Sequence, residues 1–284
     1  MNAKPSRLQN RIATRGPAKG ECNICGTFGP LTEDHTPPKG CYRPKQVELL
    51  ALIRRLADPS HGAIGPESRL SQNGVKYKTL CHRCNNALLG AKYDLALIDF
   101  VNSVAMLLNA SIELPPEVRL NGQPQAIARS VLGHMAAQGV GRYKKGPLTE
   151  AVRDFMIDES LPLPDGISIF YWAYPYRSHI MFRDAAYADL RTEATFAMWV
   201  LKFFPIAFMI TWDEPTGPMP IAVQSLTPWR HAEYQTIAEL PVRLFGTPHE
   251  QWPEAPSDTH IVAVGQEAIH VQERAQARSA GITV

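Results

Sequence analysis

Four of the five cysteines in this chain fall into two C-x-x-C pairs, Cys22-Asn-Ile-Cys25 and Cys81-His-Arg-Cys84. Turn residues follow each pair, Gly26 after the first and Asn85-Asn86 after the second. A C-x-x-C turn lets two thiolates reach one ion at about 2.3 Å, and two such turns complete the four-thiolate shell of a structural zinc. The pairs are therefore expected to share one Zn2+, with a long insert looped out between them. Cys41 is left over as a plain thiol, and His61 and His82 read as ordinary histidines rather than substitute ligands.

The zinc would not be replacing a missing core. With 284 residues, 45% hydrophobic and 20% charged, the chain has an ordinary globular balance, and its length suggests two domains. The first residues are polar and basic, without the apolar stretch of a secretory signal. The longest apolar run, Ala194 to Ile210, is broken by Lys202 and Pro205, so no membrane span is expected and a cytoplasmic location is.

Charge is distributed unevenly. Up to residue 95 there are 15 Lys/Arg against 7 Asp/Glu, a balance of +8, and the remainder carries 14 against 20, a balance of −6. A basic first third suits a phosphate-bearing partner. Residues 1–19 read as a basic flexible arm, with Arg7, Arg11 and Arg15 as candidates for the nucleic-acid backbone.

Between the cysteine pairs the chain runs Leu31-Thr-Glu-Asp-His-Thr-Pro-Pro-Lys39. Pro37 and Pro38 cannot continue a strand ladder, which places Asp34 and His35 at a strand end. A carboxylate suits a hard divalent cation, and a neutral imidazole is a good proton acceptor near pH 7. Gln46 to Ala57 reads as an amphipathic helix.

The string C-x-x-C-G, then Leu-Thr-Glu-Asp-His-Thr-Pro-Pro-Lys, then Leu80-Cys-His-Arg-Cys-Asn-Asn resembles the HNH endonuclease family. The zinc-bearing branch with a treble-clef or ββα-metal core, as in recombination endonuclease VII-like nucleases, is the most similar. The resemblance covers residues 20 to 95. It implies that Asp34 holds a catalytic Mg2+ or Mn2+, that His35 is the general base and that Asn85 completes the metal site. The asparagine that braces the loop carrying the base would be Asn73, with Asn86 as the alternative. Lys39, Arg83 and Lys92 join the candidates for contact with the DNA backbone. The activity implied is metal-dependent hydrolysis of phosphodiester bonds in DNA, of the kind used in phage defence, restriction or mobile elements. The alternative is a zinc-stabilised nucleic-acid-binding or interaction module without catalysis.

The expected fold class is α+β: a zinc-stabilised ββα-metal (HNH/treble-clef) module over residues 20–109, followed by a mixed α+β domain with an antiparallel sheet over 110–284. A helix should run from Asn85 to Leu108, and residues 111–123 read as a linker around Pro115-Pro116 or as the edge of a second domain. Helices are expected at Pro124–Ala137 and Leu148–Ile157, and Gln266–Ala280 reads as a closing helix. Strands are expected at Ile167–Tyr174, His179–Phe182, Phe196–Ile210 interrupted by Pro205, Ile221–Leu226 and Val242–Phe245. The aromatic group Phe170, Tyr171, Trp172, Tyr174 and Tyr176 reads as core before it reads as a base-stacking surface. No nucleotide-binding or hydrolase motif appears after residue 110, and the roles open to that domain are sensing a ligand, completing the DNA groove, or binding a protein partner or a second copy of the chain.

Overall fold

The computed structural model describes residues 14, 16–57, 68–111, 113–140, 149–191, 195–212, 215, 219, 221–255, 260–265 and 267–273. Arg7, Arg11, Arg15 and His61 lie outside them. The architecture is mixed α+β with antiparallel sheets. Among the described residues, no helix is long and apolar enough to cross a membrane.

A small sheet is formed by β1 (Lys19–Glu21), β2 (Phe28–His35) and β5 (Lys76–Cys81), in the order β1-β2-β5. The β2–β5 ladder slips between Thr32 and Glu33, where Thr32 faces Leu80 but Glu33 faces Lys78. This bulge leaves Thr79 of β5 as the extra residue, and on β2 Leu31 and Asp34, three residues apart, are both buried. A wide helical segment with π-type turns (Arg83–Tyr93) starts directly after β5 and runs into α2 (Asp94–Leu108). The helix expected from Asn85 to Leu108 is therefore present, built from two kinds of turn.

The large sheet has nine strands. Its path begins with β11 (Gln224–Ser225), β7 (Ile167–Ala173), β10 (Ile206–Trp212), β9 (Thr195–Phe203) and β8 (His179–Asp189). It continues through β14 (Ile269–Glu273), β3 (Gln46–Ala51) and β4 (Arg69–Gln72), while β13 (His260–Ala263) also pairs with β8. Phe204-Pro205 is the hairpin turn between β9 and β10, which resolves the interrupted run read from the sequence. Tyr171, Trp172 and Tyr174 are buried, so the aromatic group of β7 belongs to the core.

Two expectations fail, and a third is narrowed, for one physical reason, long-range strand pairing. Gln46–Ala51 is a strand, and only Leu52–Ala57 is helical (α1), because β14 and β4 flank that stretch on its two sides. Of the two readings of residues 111–123, the linker gives way to an ordered edge, since β6 (Glu117–Gly122) pairs with β12 (Ala238–Arg243). The closing helix is replaced at 269–273 by β14, held between β3 and β8, and residues 274–280 lie outside the described ones. Insert strands β3 and β4 thus share a sheet with strands from the C-terminal half of the chain.

At the centre lies α3 (Pro124–Ala137), every residue of which is buried. It packs against the wide helical segment, α2, α4 (Thr149–Ile157), β2 and β5. Gly133 permits the closest approach, since a Cβ there would lie 2.4 Å from Cδ2 of Leu89. A helix buried all round must pair its polar side chains, and α3 gives Gln125, Arg129, Ser130 and His134 partners, leaving only Nε of Arg129 without one among the described residues. Arg129 lies over the Phe155 ring and donates to the carbonyls of Gln125, Asp158, Glu159 and Leu161.

Candidate functional site

The two cysteine turns meet. The sulfur atoms of Cys22, Cys25, Cys81 and Cys84 all lie within 4.8 Å of one another, and Cys25 and Cys81 are 3.8 Å apart. A tetrahedron with metal–sulfur bonds of about 2.3 Å has edges of about 3.8 Å, so the cluster has the dimensions of a zinc shell. Gly26, at φ 69°, closes the first turn by donating from its N–H to the Cys22 carbonyl at 2.8 Å. The Cys22 thiol is held down to about 5 by its hydrogen bond with Cys84, against the opposing effect of burial. The same bond, with burial, raises Cys84. Four soft thiolate donors fit zinc, and among the described residues this is the only cluster of His, Cys, Asp and Glu close enough to share an ion. Cys41 stands apart, half-buried, with its thiol raised by burial and by the nearby Asp94.

Asp34 and His35 end β2, and the next peptide bond, Thr36–Pro37, is cis. They face different surroundings. Asp34 is buried, and its Oδ2 is 2.9 Å from Nδ1 of His134 on α3 and accepts from Thr36 Oγ1 at 3.4 Å. The other nitrogen of His134, Nε2, is 2.9 Å from Oδ1 of Asp94, which also accepts from Ser130 Oγ at 2.7 Å. Burial opposes a charged imidazole here, but the two carboxylates outweigh it and push His134 up to about 10. Burial likewise works against the Asp94 carboxylate, and His134 with Ser130 overcomes it, lowering Asp94.

His35 is half-buried and has no side-chain hydrogen bond among the described residues. Burial lowers its pKa; Asp34 pulls it up, and Lys76 and Lys39 push it down further. The imidazole is thus neutral near pH 7, with a ring nitrogen able to accept a proton.

Asn85, directly after the last cysteine, reaches back to the same strand. Its Nδ2 donates to the Glu33 carbonyl at 2.9 Å and to Thr32 Oγ1 at 3.0 Å. Asn73, expected to brace the loop of the base, occupies a turn at φ 60° beside Gly74, and its N–H donates to the Lys45 carbonyl at 2.9 Å. The alternative, Asn86, is exposed. The asparagine hydrogen-bonded to the strand of Asp34 and His35 is Asn85.

Comparison of the chain with family models, with curated proteins and with solved structures finds no match. What the chain does must be read from its own geometry.

Of the candidate backbone contacts, Lys39 and Arg83 are exposed beside the Asp34–His35 strand end and the second cysteine turn. Lys92 is ion-paired with Glu159. The residue that sequence reasoning missed is His134. It lies 100 positions beyond Asp34, on a helix without a recognisable motif, and only tertiary packing brings the two together.

Proposed function

We propose that this chain is a metal-dependent endonuclease of the HNH type, hydrolysing phosphodiester bonds in DNA, with one structural zinc and an exchangeable Mg2+ or Mn2+. The reading is carried by one observation. Asp34 and His35 end β2, and Asn85, which bonds β2, opens the segment Arg83–Tyr93 directly after β5; Cys22 and Cys25 precede this strand–strand–helix unit, and Cys81 and Cys84 sit at its strand-to-helix junction. This is the arrangement expected of a ββα-metal core, and a binding module needs none of the three side chains.

The donor chemistry fits a hard cation. Among the described residues, Asp34 Oδ1 and Asn85 Oδ1 have no hydrogen-bond partner, while Oδ2 of the first and Nδ2 of the second are tied within the protein. Two oxygens suit Mg2+ or Mn2+, which keep several waters and accept phosphate oxygens. When bound, such a cation would stabilise the charge that builds on the phosphate in the transition state.

The rest of the chemistry belongs to side chains of this chain. His35, neutral near pH 7, accepts a proton from the attacking water on its unprotonated ring nitrogen. Asn85 fixes the strand that presents His35 by holding the Glu33 carbonyl. Lys39 and Arg83 receive the phosphates of the flanking backbone.

A second reading has its own observation: the Asp34–His134–Asp94 contacts also make sense as a purely structural buried network in a zinc-stabilised binding module. Cleavage and nicking of plasmid DNA with Mg2+ or Mn2+, measured beside DNA binding, separates the two. The nuclease reading expects His35→Ala to bind normally and to cleave about 10²- to 10⁴-fold more slowly. Wild-type-like cleavage by that variant would refute the assignment of the base.

A further inference from the structure

The carboxylate proposed to hold the cation does not stand alone. The ring of His134, 1% exposed, spans from Asp34 to Asp94 with 2.9 Å at each nitrogen. Between two ionised carboxylates both nitrogens act as donors, so neither can be turned away without leaving a buried oxygen unpaired. Ser130, one helical turn earlier on α3, bonds the same Asp94 oxygen at 2.7 Å and fixes the far end. The imidazole therefore has one orientation, and with it the Asp34 carboxyl has one. Its Oδ2 is drawn inward to His134 and Thr36, and Oδ1 is the oxygen left for other work.

We infer that His134 is a positioning residue for the cation site: by holding Oδ2 of Asp34 it presents Oδ1 to the divalent ion. This rests on Asp34 being a cation ligand, as proposed above. It gives α3 and the C-terminal half a part in a site whose motifs all lie before residue 95. Hydrogen-bond partners of this kind orient the ligand, and their loss typically weakens metal affinity or activity about 10- to 100-fold.

Isosteric amides separate the two ends of the ring. In His134→Asn the amide nitrogen replaces Nδ1 and keeps the bond to Asp34. In His134→Gln it replaces Nε2, keeps the bond to Asp94 and leaves Asp34 unsupported. The measurement is Mn2+ binding to the full, zinc-loaded chain, read from the electron paramagnetic resonance signal of free Mn2+. Zinc content and melting midpoint are taken on every sample, and Ser130→Ala and Asp34→Asn are included.

The expected result is a loss of Mn2+ affinity of about 10- to 100-fold in Asp34→Asn and His134→Gln. His134→Asn and Ser130→Ala should stay within about 3-fold of wild type, whatever their melting midpoints. If Asp34→Asn binds Mn2+ like wild type, or wild type binds none, the cation-ligand reading fails and the inference with it. If Asp34→Asn weakens binding but His134→Gln does not, the inference alone is overturned. Equal weakening in both His134 amides and Ser130→Ala, in step with their stabilities, would also overturn it and leave a structural network.

Discussion

The side chain of Asn23, inside the first cysteine turn, donates to the carbonyls of Ala136 at 3.0 Å and Gly139 at 2.8 Å. The first is the next-to-last carbonyl of α3 and the second lies two residues past its end, where a helix has no partners of its own for its last carbonyls. Thr79, freed from the ladder by the bulge, donates to Ala137 O at 2.6 Å, and Arg183 of β8 donates to the carbonyls of Ala136 and Gln138. The cysteine turn, the bulge and the large sheet thus converge on one helix end.

Zinc loss should consequently be felt beyond the cysteine turns. Cys81→Ser, or stripping of the metal with a strong chelator, is expected to lower the unfolding midpoint of the whole chain in one transition, because metal binding contributes folding free energy. Asn23→Ala should cost about 1–3 kcal/mol by leaving buried carbonyls without their donor. Circular dichroism and metal analysis on the same samples check both. An unfolding curve in which sheet signal is untouched by zinc removal would disprove the coupling.

The closeness of α3 to the wide helical segment gives a packing test. In Gly133→Ala the new methyl would meet Leu89, which is fully buried. Over-packing of this kind typically costs about 1–3 kcal/mol. Gly133→Ala/Leu89→Ala should recover part of that loss relative to the sum of the single variants, since the two side chains compete for one space. Urea midpoints of the four proteins decide it, and strict additivity would mean that the helices do not meet as described.

How much of this was legible follows from how local each signal is. The cysteine spacing and the Asp34-His35 dipeptide are local, and the ends of α3 follow from the pattern of Pro124–Ala137 alone. Gln46–Ala51 has both helical and strand character, and its choice is made by β14, more than two hundred residues away. Asn85 was expected as a metal ligand on resemblance, but its hold on Glu33 O depends on how the segment Arg83–Tyr93 lies against β2. His134 was illegible because a histidine on a buried helix has meaning only through the carboxylates it meets.

Acid should destabilise the protein through two buried histidines. Both ring nitrogens of His179 lack a hydrogen-bond partner among the described residues, and burial pushes its pKa down to about 3, with nearby His270 adding to the effect. Burial, then Arg55, pushes His270 down to about 4. Folded values below the ordinary value of about 6.5 mean that the folded state favours the neutral rings. Their contribution is complete above about pH 6.5 and is lost as pH falls toward 3 to 4, the loss having reached about 2 kcal/mol for each by pH 5. His179→Leu should flatten part of the fall in urea midpoint between pH 7 and pH 5. A variant with an unchanged pH slope would show that His179 titrates normally.

The proposed binding to DNA offers the sharpest test of which basic side chains would face phosphate. Each phosphate contact contributes about 0.9 to the slope of log affinity against log salt. Lys39, four residues after His35, and Arg83, two before Asn85, are exposed, so Lys39→Ala and Arg83→Ala should each reduce the slope by nearly one and weaken binding across sequences alike. Lys92 carries the same charge and was equally eligible from the sequence, but its ammonium is engaged with Glu159. Lys92→Ala should therefore leave the slope unchanged while removing only a partly exposed ion pair, a change worth about 1 kcal/mol of stability or less. Fluorescence anisotropy of a labelled duplex over a range of salt concentrations gives all three slopes. If Lys92→Ala lowers the slope and Arg83→Ala does not, the DNA path runs along the outer side of the helical segment, away from the Asp34–His35 strand end, and the proposed site is not where the backbone lies.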